Sequence, residues 1–158
     1  MENTKRKTAV YMRVHGGTTR YSEEGNKLHY QHFFECHRNL EWAYTFVDYG
    51  KANPMLGKNP GLCMMLDACK KGDIDLVVID SYQDISTFPS RAMEIAKEQL
   101  SLPSPVEFFF EIEDVWSRDN CFEDYMGFEA MMQDALIKRK QRRNAETRRI
   151  NAILKSPN

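Results

Sequence analysis

The sequence predicts a mostly parallel α/β sheet of four to five strands flanked by helices, with a long C-terminal helix projecting from the domain. Three observations carry this. Residues 8–14 and 75–80 are short β-branched and apolar runs that end in polar residues, as parallel strands buried on both faces do when they deliver side chains to a sheet edge. Residues 59–72 read as a short helix with a glycine stop that leads straight into the second run. From 121 to 154 there is no proline, and no glycine after Gly127. A helix of that length extends ~50 Å at 1.5 Å per residue, past the edge of a small domain.

The remaining elements follow in order. Ser22 is placed to cap a helix over 25–39, with Glu23 and Glu24 suited to its first turn. Residues 41–47 form a second strand that ends at Asp48, Tyr49 and Gly50. The loop 50–59, with Gly50, Pro54 and Gly57, is expected to be mobile. A helix over 90–100 is expected to take Ser90 as its cap, behind Pro89, and 106–112 forms a fourth strand. Phe108, Phe109 and Phe110 point to both faces of that strand, which suits a buried strand better than a platform for bases.

At 158 residues, with 42% hydrophobic and 28% charged residues, the composition is that of one soluble globular domain. The organisation expected is an α/β domain over 8–120 followed by a long helix over 121–155. No apolar run approaches the ~20 residues of a membrane span, and the N-terminus lacks an apolar signal core. Cysteines at 36, 63, 69 and 121 have neither metal-pair spacing nor the density of a secreted scaffold, so reduced thiols and a cytoplasmic location are expected.

A net charge of −1 conceals an asymmetry. Residues 138–158 hold Lys138, Arg139, Lys140, Arg142, Arg143, Arg148, Arg149 and Lys155 against Glu146 alone, while 107–134 are strongly acidic. An acidic body with a basic tail suggests a polyanion partner for the tail. In the first half of the long helix, Phe122, Tyr125, Met126, Met132 and Leu136 recur at helical spacing, an apolar stripe that needs a partner surface. After Ile137 the stripe stops, so the second half is expected not to bury itself.

The frame of Tyr11, Arg13, Val14 and His15, with Asn59-Pro60-Gly61-Leu62 and the strand running into Ser81, resembles the catalytic domain of the serine recombinases, the resolvase and invertase family. There the first strand reads Tyr-x-Arg-Val-Ser, a helix opens Arg-Pro-x-Phe or Leu, and the later strand runs into Ser-x-x-Arg-x-x-Arg. The resemblance spans roughly residues 8–150. It implies a serine that attacks a DNA phosphate, arginines that hold the developing transition state, and a long helix that dimerises through its first half and lies on DNA with its second.

Position by position, the serine falls on His15 and the helix-opening arginine on Asn59. The two later arginines fall on Asp84 and Thr87, so only Arg13 keeps the family's residue. A carboxylate at 84 repels the phosphate that a cation should grip. The site Arg13, His15, Ser81 and Asp84 is therefore read as vestigial. The expected function is that of a protein related to site-specific DNA recombination, as in mobile elements, but catalytically degenerate. It acts by dimerisation and by DNA-backbone or recombinase binding. DNA contacts are assigned to Lys138, Arg139, Lys140, Arg142, Arg143, Arg148 and Arg149, and the dimer contact to Phe122, Tyr125, Met126, Met132 and Leu136. The expected partners are DNA, bound weakly, and a second copy or a recombinase, with no membrane. Two alternatives stay open: an active recombinase using unusual or partner-supplied residues, and a module that poisons an intact recombinase by forming mixed dimers.

No cofactor and no metal are expected. His29, His32 and Cys36 could share a helix face beside His37, but a surface helix that happens to be histidine-rich explains them without a ligand. Asp48, Asp73, Asp75, Asp80 and Asp84 are expected near strand ends, where α/β proteins place sites.

Overall fold

The strands are β1 (Arg6–Val14), β2 (Leu40–Tyr49), β3 (Leu76–Ile79), β4 (Glu107–Phe110) and β5 (Val115–Trp116), and the helices are α1 (Glu23–Cys36), α2 (Pro60–Lys70), α3 (Pro89–Leu100) and α4 (Tyr125–Lys155). The computed structural model describes residues 4–118 and 125–156. Phe122 and the side chains of Tyr125, Met126, Met132 and Leu136, assigned above to a dimer contact, lie outside what is described.

One sheet runs in the order β2-β1-β3-β4-β5. Its first three pairings are parallel and β4–β5 is antiparallel. Alternation along β1 sorts the core into two layers. Ala9 and Tyr11 pack with Leu62 and Met65 of α2, Ile95 and Ala96 of α3, and Phe108 and Phe110. Val10, Met12 and Val14 pack on the other face with Tyr30 and Phe33 of α1 and with Phe109. The three consecutive phenylalanines are core on both faces, as expected. No described helix is long and apolar enough to cross a membrane.

Ser22 caps α1 as expected, its Oγ accepting from the Gly25 N–H at 3.1 Å. Ser90 does not cap α3. The helix begins one residue earlier, at Pro89, and its flanking residue Phe88 contributes no side-chain bond. Proline lacks the first orphan N–H and holds φ near the helical value, so it opens a helix by itself. Strand β5 escaped the sequence pattern because it is two residues long. It returns on β4 through Asp114, whose φ of 56° is left-handed, a conformation aspartate tolerates better than most residues.

The loop 50–59 is tied down rather than loose. Asn59 Nδ2 donates to the carbonyls of Asn53 and Met55 at 3.0 and 3.1 Å, and its Oδ1 accepts from the Asn53 N–H at 2.9 Å. The aspartates are divided. Asp48 lies at the end of β2, and Asp80 and Asp84 follow β3, but Asp73 and Asp75 precede β3 at the opposite edge, where Asp75 Oδ2 accepts from the Lys7 N–H at 2.8 Å.

The start of α2 is fixed from a distance. Asp48, at the end of β2, accepts from the N–H groups of Gly61 and Leu62 at 2.8 and 2.9 Å and from Tyr11 Oη at 2.7 Å. A carboxylate at a helix N-terminus answers both the orphan donors and the dipole. Helix and strand approach so closely that a Cβ on Gly61 would stand 2.4 Å from the Val47 carbonyl oxygen. Asp48→Ala is expected to cost about 3 kcal/mol, since it strands three buried donors, and to lower the urea midpoint without changing the transition's slope.

Candidate functional site

The carboxyl ends of β1, β3 and β4 converge on one edge of the sheet, where open α/β sheets place their sites. Arg13 leaves β1 into this edge and is only 4% exposed. Its Nε donates to the Asp84 carbonyl at 2.7 Å, its Nη2 to Asn59 Oδ1 at 2.7 Å, and Asp48 lies 4.0 Å away. The guanidinium fork is thus committed to the protein's own oxygens. A cleft of about 310 Å³ opens beside it, lined by Asp48, Lys51, Lys58 and Asn59 among others.

The other residues of the predicted site go separate ways. His15 is exposed just past β1, its ring edge-on to Tyr21 with centroids 6.2 Å apart. Ser81 is buried and donates to Glu113 Oε1 at 2.9 Å, which also accepts from the Tyr82 N–H at 2.7 Å. Asp84 is half-buried and meets Arg13 through its backbone, while Thr87 is exposed. Lost hydration and the neighbouring Asp80 raise the Asp84 carboxyl well above the ordinary carboxylate range.

A second cluster, which the sequence reading missed, lies between this edge and α4. Arg20 is buried in the loop before α1 and donates to Asp80 at 3.0 Å and to Asn26 at 2.9 Å. Tyr21 Oη donates to the second Asp80 oxygen at 3.0 Å. From α4, Arg143 donates to Tyr21 Oη at 2.8 Å and lies 3.8 Å from Asp80. Arg142 donates to the Ile112 carbonyl at 2.8 Å. His29 stands between two carboxylates, Glu111 on Nε2 at 2.8 Å and Glu146 of α4 on Nδ1. Burial lowers the His29 pKa, but the hydrogen bonds the ring donates to both glutamates outweigh it and raise it above the ordinary value.

These contacts correct the expectation that the second half of α4 cannot bury itself, since Ile150 is fully buried. Of the seven cations assigned to DNA, Lys138, Lys140 and Arg148 are exposed, with Lys138 lying 3.8 Å from Asp134. Arg142 and Arg143 bond to the body, Arg149 donates to Glu146 at 2.6 Å, and Arg139 is half-buried. The signal available in the sequence was the spacing of Glu146 and Ile150 among the cations.

His32 faces Cys36 at 3.7 Å and is exposed, so it does not join the buried His29. His29, Asp80 and Glu111 do place one potential ligand atom each within 4.8 Å of one another. Arg20, Tyr21 and Glu146 already engage those groups, so a cation would have to displace them.

Burial pushes the Glu113 carboxyl up to about 7, helped by the Asp80 charge and opposed by the bonds from Tyr82 and Ser81. A raised carboxyl keeps its proton in the folded state while the unfolded chain releases it, so its contribution falls as pH rises from the unfolded value toward 7. The raised His29 adds in the same direction, because its stabilisation is lost as pH rises through its folded pKa. Thermal unfolding midpoints should therefore drop between about pH 5 and pH 8, with Glu113→Gln removing on the order of 3 kcal/mol of that dependence. A wild-type midpoint that is flat with pH would contradict these assignments.

No protein-family model and no curated protein matches the chain. Solved structures do. The N-terminal catalytic domain of TP901-1 integrase superposes with a TM-score of 0.57 at 17% identity, over 87% of this chain and 98% of that one. A resolvase family site-specific recombinase from Streptococcus pneumoniae superposes with a TM-score of 0.51 at 16% identity, over 96% of this chain and 100% of that one. The five-stranded, mostly parallel sheet with its flanking helices and long C-terminal helix has the fold of serine recombinase catalytic domains.

Proposed function

We propose that the chain is a serine-recombinase-like protein that grips DNA through its backbone phosphates and pairs with itself or with a recombinase, without the chemistry of strand cleavage. The observation that carries this reading is the state of Arg13. Among the positions matched to the family's catalytic set it is the one retained guanidinium, and it is buried and bonded to Asn59 and the Asp84 carbonyl. Cleavage of a phosphodiester needs cations aimed at the oxygens where charge develops. His15, in the nucleophile's position, is exposed, and among the described residues no arginine is hydrogen-bonded to it. The two structural neighbours, an integrase and a site-specific recombinase, supply the context of DNA recombination.

DNA contact is assigned to the cationic half of α4, whose phosphate contacts position a protein without selecting sequence. Four to six neutralised phosphates give a log–log salt slope of about −4 to −5. A salt titration on one unrelated duplex checks this, with truncation after Ile137 expected to abolish binding while the sheet stays folded. Equal affinity of the two forms would move DNA contact away from α4.

No covalent protein–DNA adduct is expected on supercoiled plasmid, and His15→Ser alone is expected not to restore nicking. A trapped adduct that vanishes in His15→Ala would establish an active recombinase with an unusual nucleophile. Pairing is assigned to the apolar stripe of α4. Replacing Met132 and Leu136 with Glu should convert a dimer to a monomer in light scattering, and a monomeric wild type at high micromolar concentration would contradict that assignment.

A further inference from the structure

The cationic half of α4 carries two different faces. Arg139, Arg142, Arg143, Glu146, Arg149 and Ile150 recur at helical spacing on one stripe, and the contacts to the body come from this stripe. Lys138, Lys140 and Arg148 are exposed. What the body offers the arginines of the stripe is a set of oxygens: the Asp80 carboxylate, Tyr21 Oη, and the Glu111 and Ile112 carbonyls; Glu146 of the stripe meets the His29 ring instead, whose other nitrogen holds the Glu111 carboxylate. A guanidinium takes from these what it would take from the oxygens of a phosphate backbone. Body and polyanion therefore compete for the same donors.

The docking is also shallow. Among described side chains of α4 only Ala135 and Ile150 are buried apolar groups. The side chains of Arg143 and Arg149 remain 35% and 37% exposed, and Glu146 is 21% exposed. A cavity of about 370 Å³ lies between these contacts, lined by Arg142, Arg143 and Arg149 of the helix and by Arg20, Asp80 and Glu111 of the body. Ion pairs this open to water are individually weak and screened by salt.

We propose that the Asp80 carboxylate, Tyr21 Oη and the Glu111 and Ile112 carbonyls together form an intramolecular mimic of the DNA backbone, which latches Arg142 and Arg143 of α4, with His29 holding Glu146 beside them, and masks them until a polyanion displaces them. The proposal rests on the DNA reading given above and adds its regulation. In the latched state Arg142 and Arg143 are engaged while Lys138, Lys140 and Arg148 face outward, and the binding-competent fraction sets the apparent affinity.

The test uses the full chain, Glu111→Gln and Ile150→Ser. The first removes the partly exposed carboxylate on the far nitrogen of His29, which weakens the hold of the ring on Glu146 and leaves the sheet's own pairings in place. The second removes the buried anchor without touching a cation. Limited trypsin digestion after Arg142 and Arg143 reads the latch without DNA, and fluorescence anisotropy with an unrelated duplex at about 50 mM salt reads the masking. Both variants should be cut several-fold faster than wild type and bind the duplex about tenfold more tightly, as expected if roughly nine molecules in ten are latched. Unchanged digestion with wild-type DNA affinity overturns the latch and leaves the DNA reading standing. Faster digestion with unchanged or weaker affinity shows docking without masking and overturns the proposal. Faster digestion with no DNA binding by any form overturns the DNA reading itself, and the proposal with it.

Discussion

The arrangement at the sheet edge depends on one buried charge. Arg20 is 1% exposed, and an arginine cannot shed its proton to escape burial. It must be paired, and it is: Asp80 takes one arm, Asn26 another, and the rings of Tyr21 and Tyr30 lie 4.7 and 5.8 Å from its carbon. This pairing binds the loop after β1 to α1 and to the end of β3. Removing one partner of such a pair costs about 3–5 kcal/mol, because the other charge is left uncompensated. The same Asp80 presents its second oxygen to Tyr21 and Arg143. Its charge is already answered from within, so what remains for α4 is a half-exposed interaction worth far less. Strong pairing inside the body and weak pairing to the helix follow from one carboxylate.

A related economy governs Arg13. In a site that grips phosphate, the guanidinium must be free to turn its donors outward. Here Asn59 stands where the resemblance places an arginine, and its side chain serves both the 50–59 loop and Arg13. An amide at this position acts as an internal tie rather than as a cation. Glu113 does something similar for Ser81, whose hydroxyl it holds in the interior. The edge keeps the frame of the fold and fills it with contacts among its own residues.

What could be read from the sequence follows the same division. Parallel strands buried on both faces write continuous apolar runs, so β1 and β3 were legible, as were α2 behind Pro60 and the Ser22 cap. The Asp48 cap of α2 was not, because donor and acceptor lie 13 residues apart in the chain and meet only when β2 and α2 pack. Strand β5 is too short to write a period. The docked face of α4 was hidden because arginines bonded to a neighbour and arginines facing water look alike in a string of residues. Arg20 gave no signal either: nothing local distinguishes a buried arginine from a surface one until Asp80 arrives from 60 residues away.

The most direct probe of the account is the titration of His29, followed by NMR of its imidazole with and without duplex DNA. Glu111, just past β4, and Glu146 of α4 face the ring, with Arg20 nearby opposing them. The account predicts a titration above the ordinary histidine value of about 6.5 in the free protein, moving down toward it when DNA lifts α4 and withdraws Glu146. A His29 that titrates at its ordinary value in the free protein, or one indifferent to DNA that demonstrably binds, would contradict it.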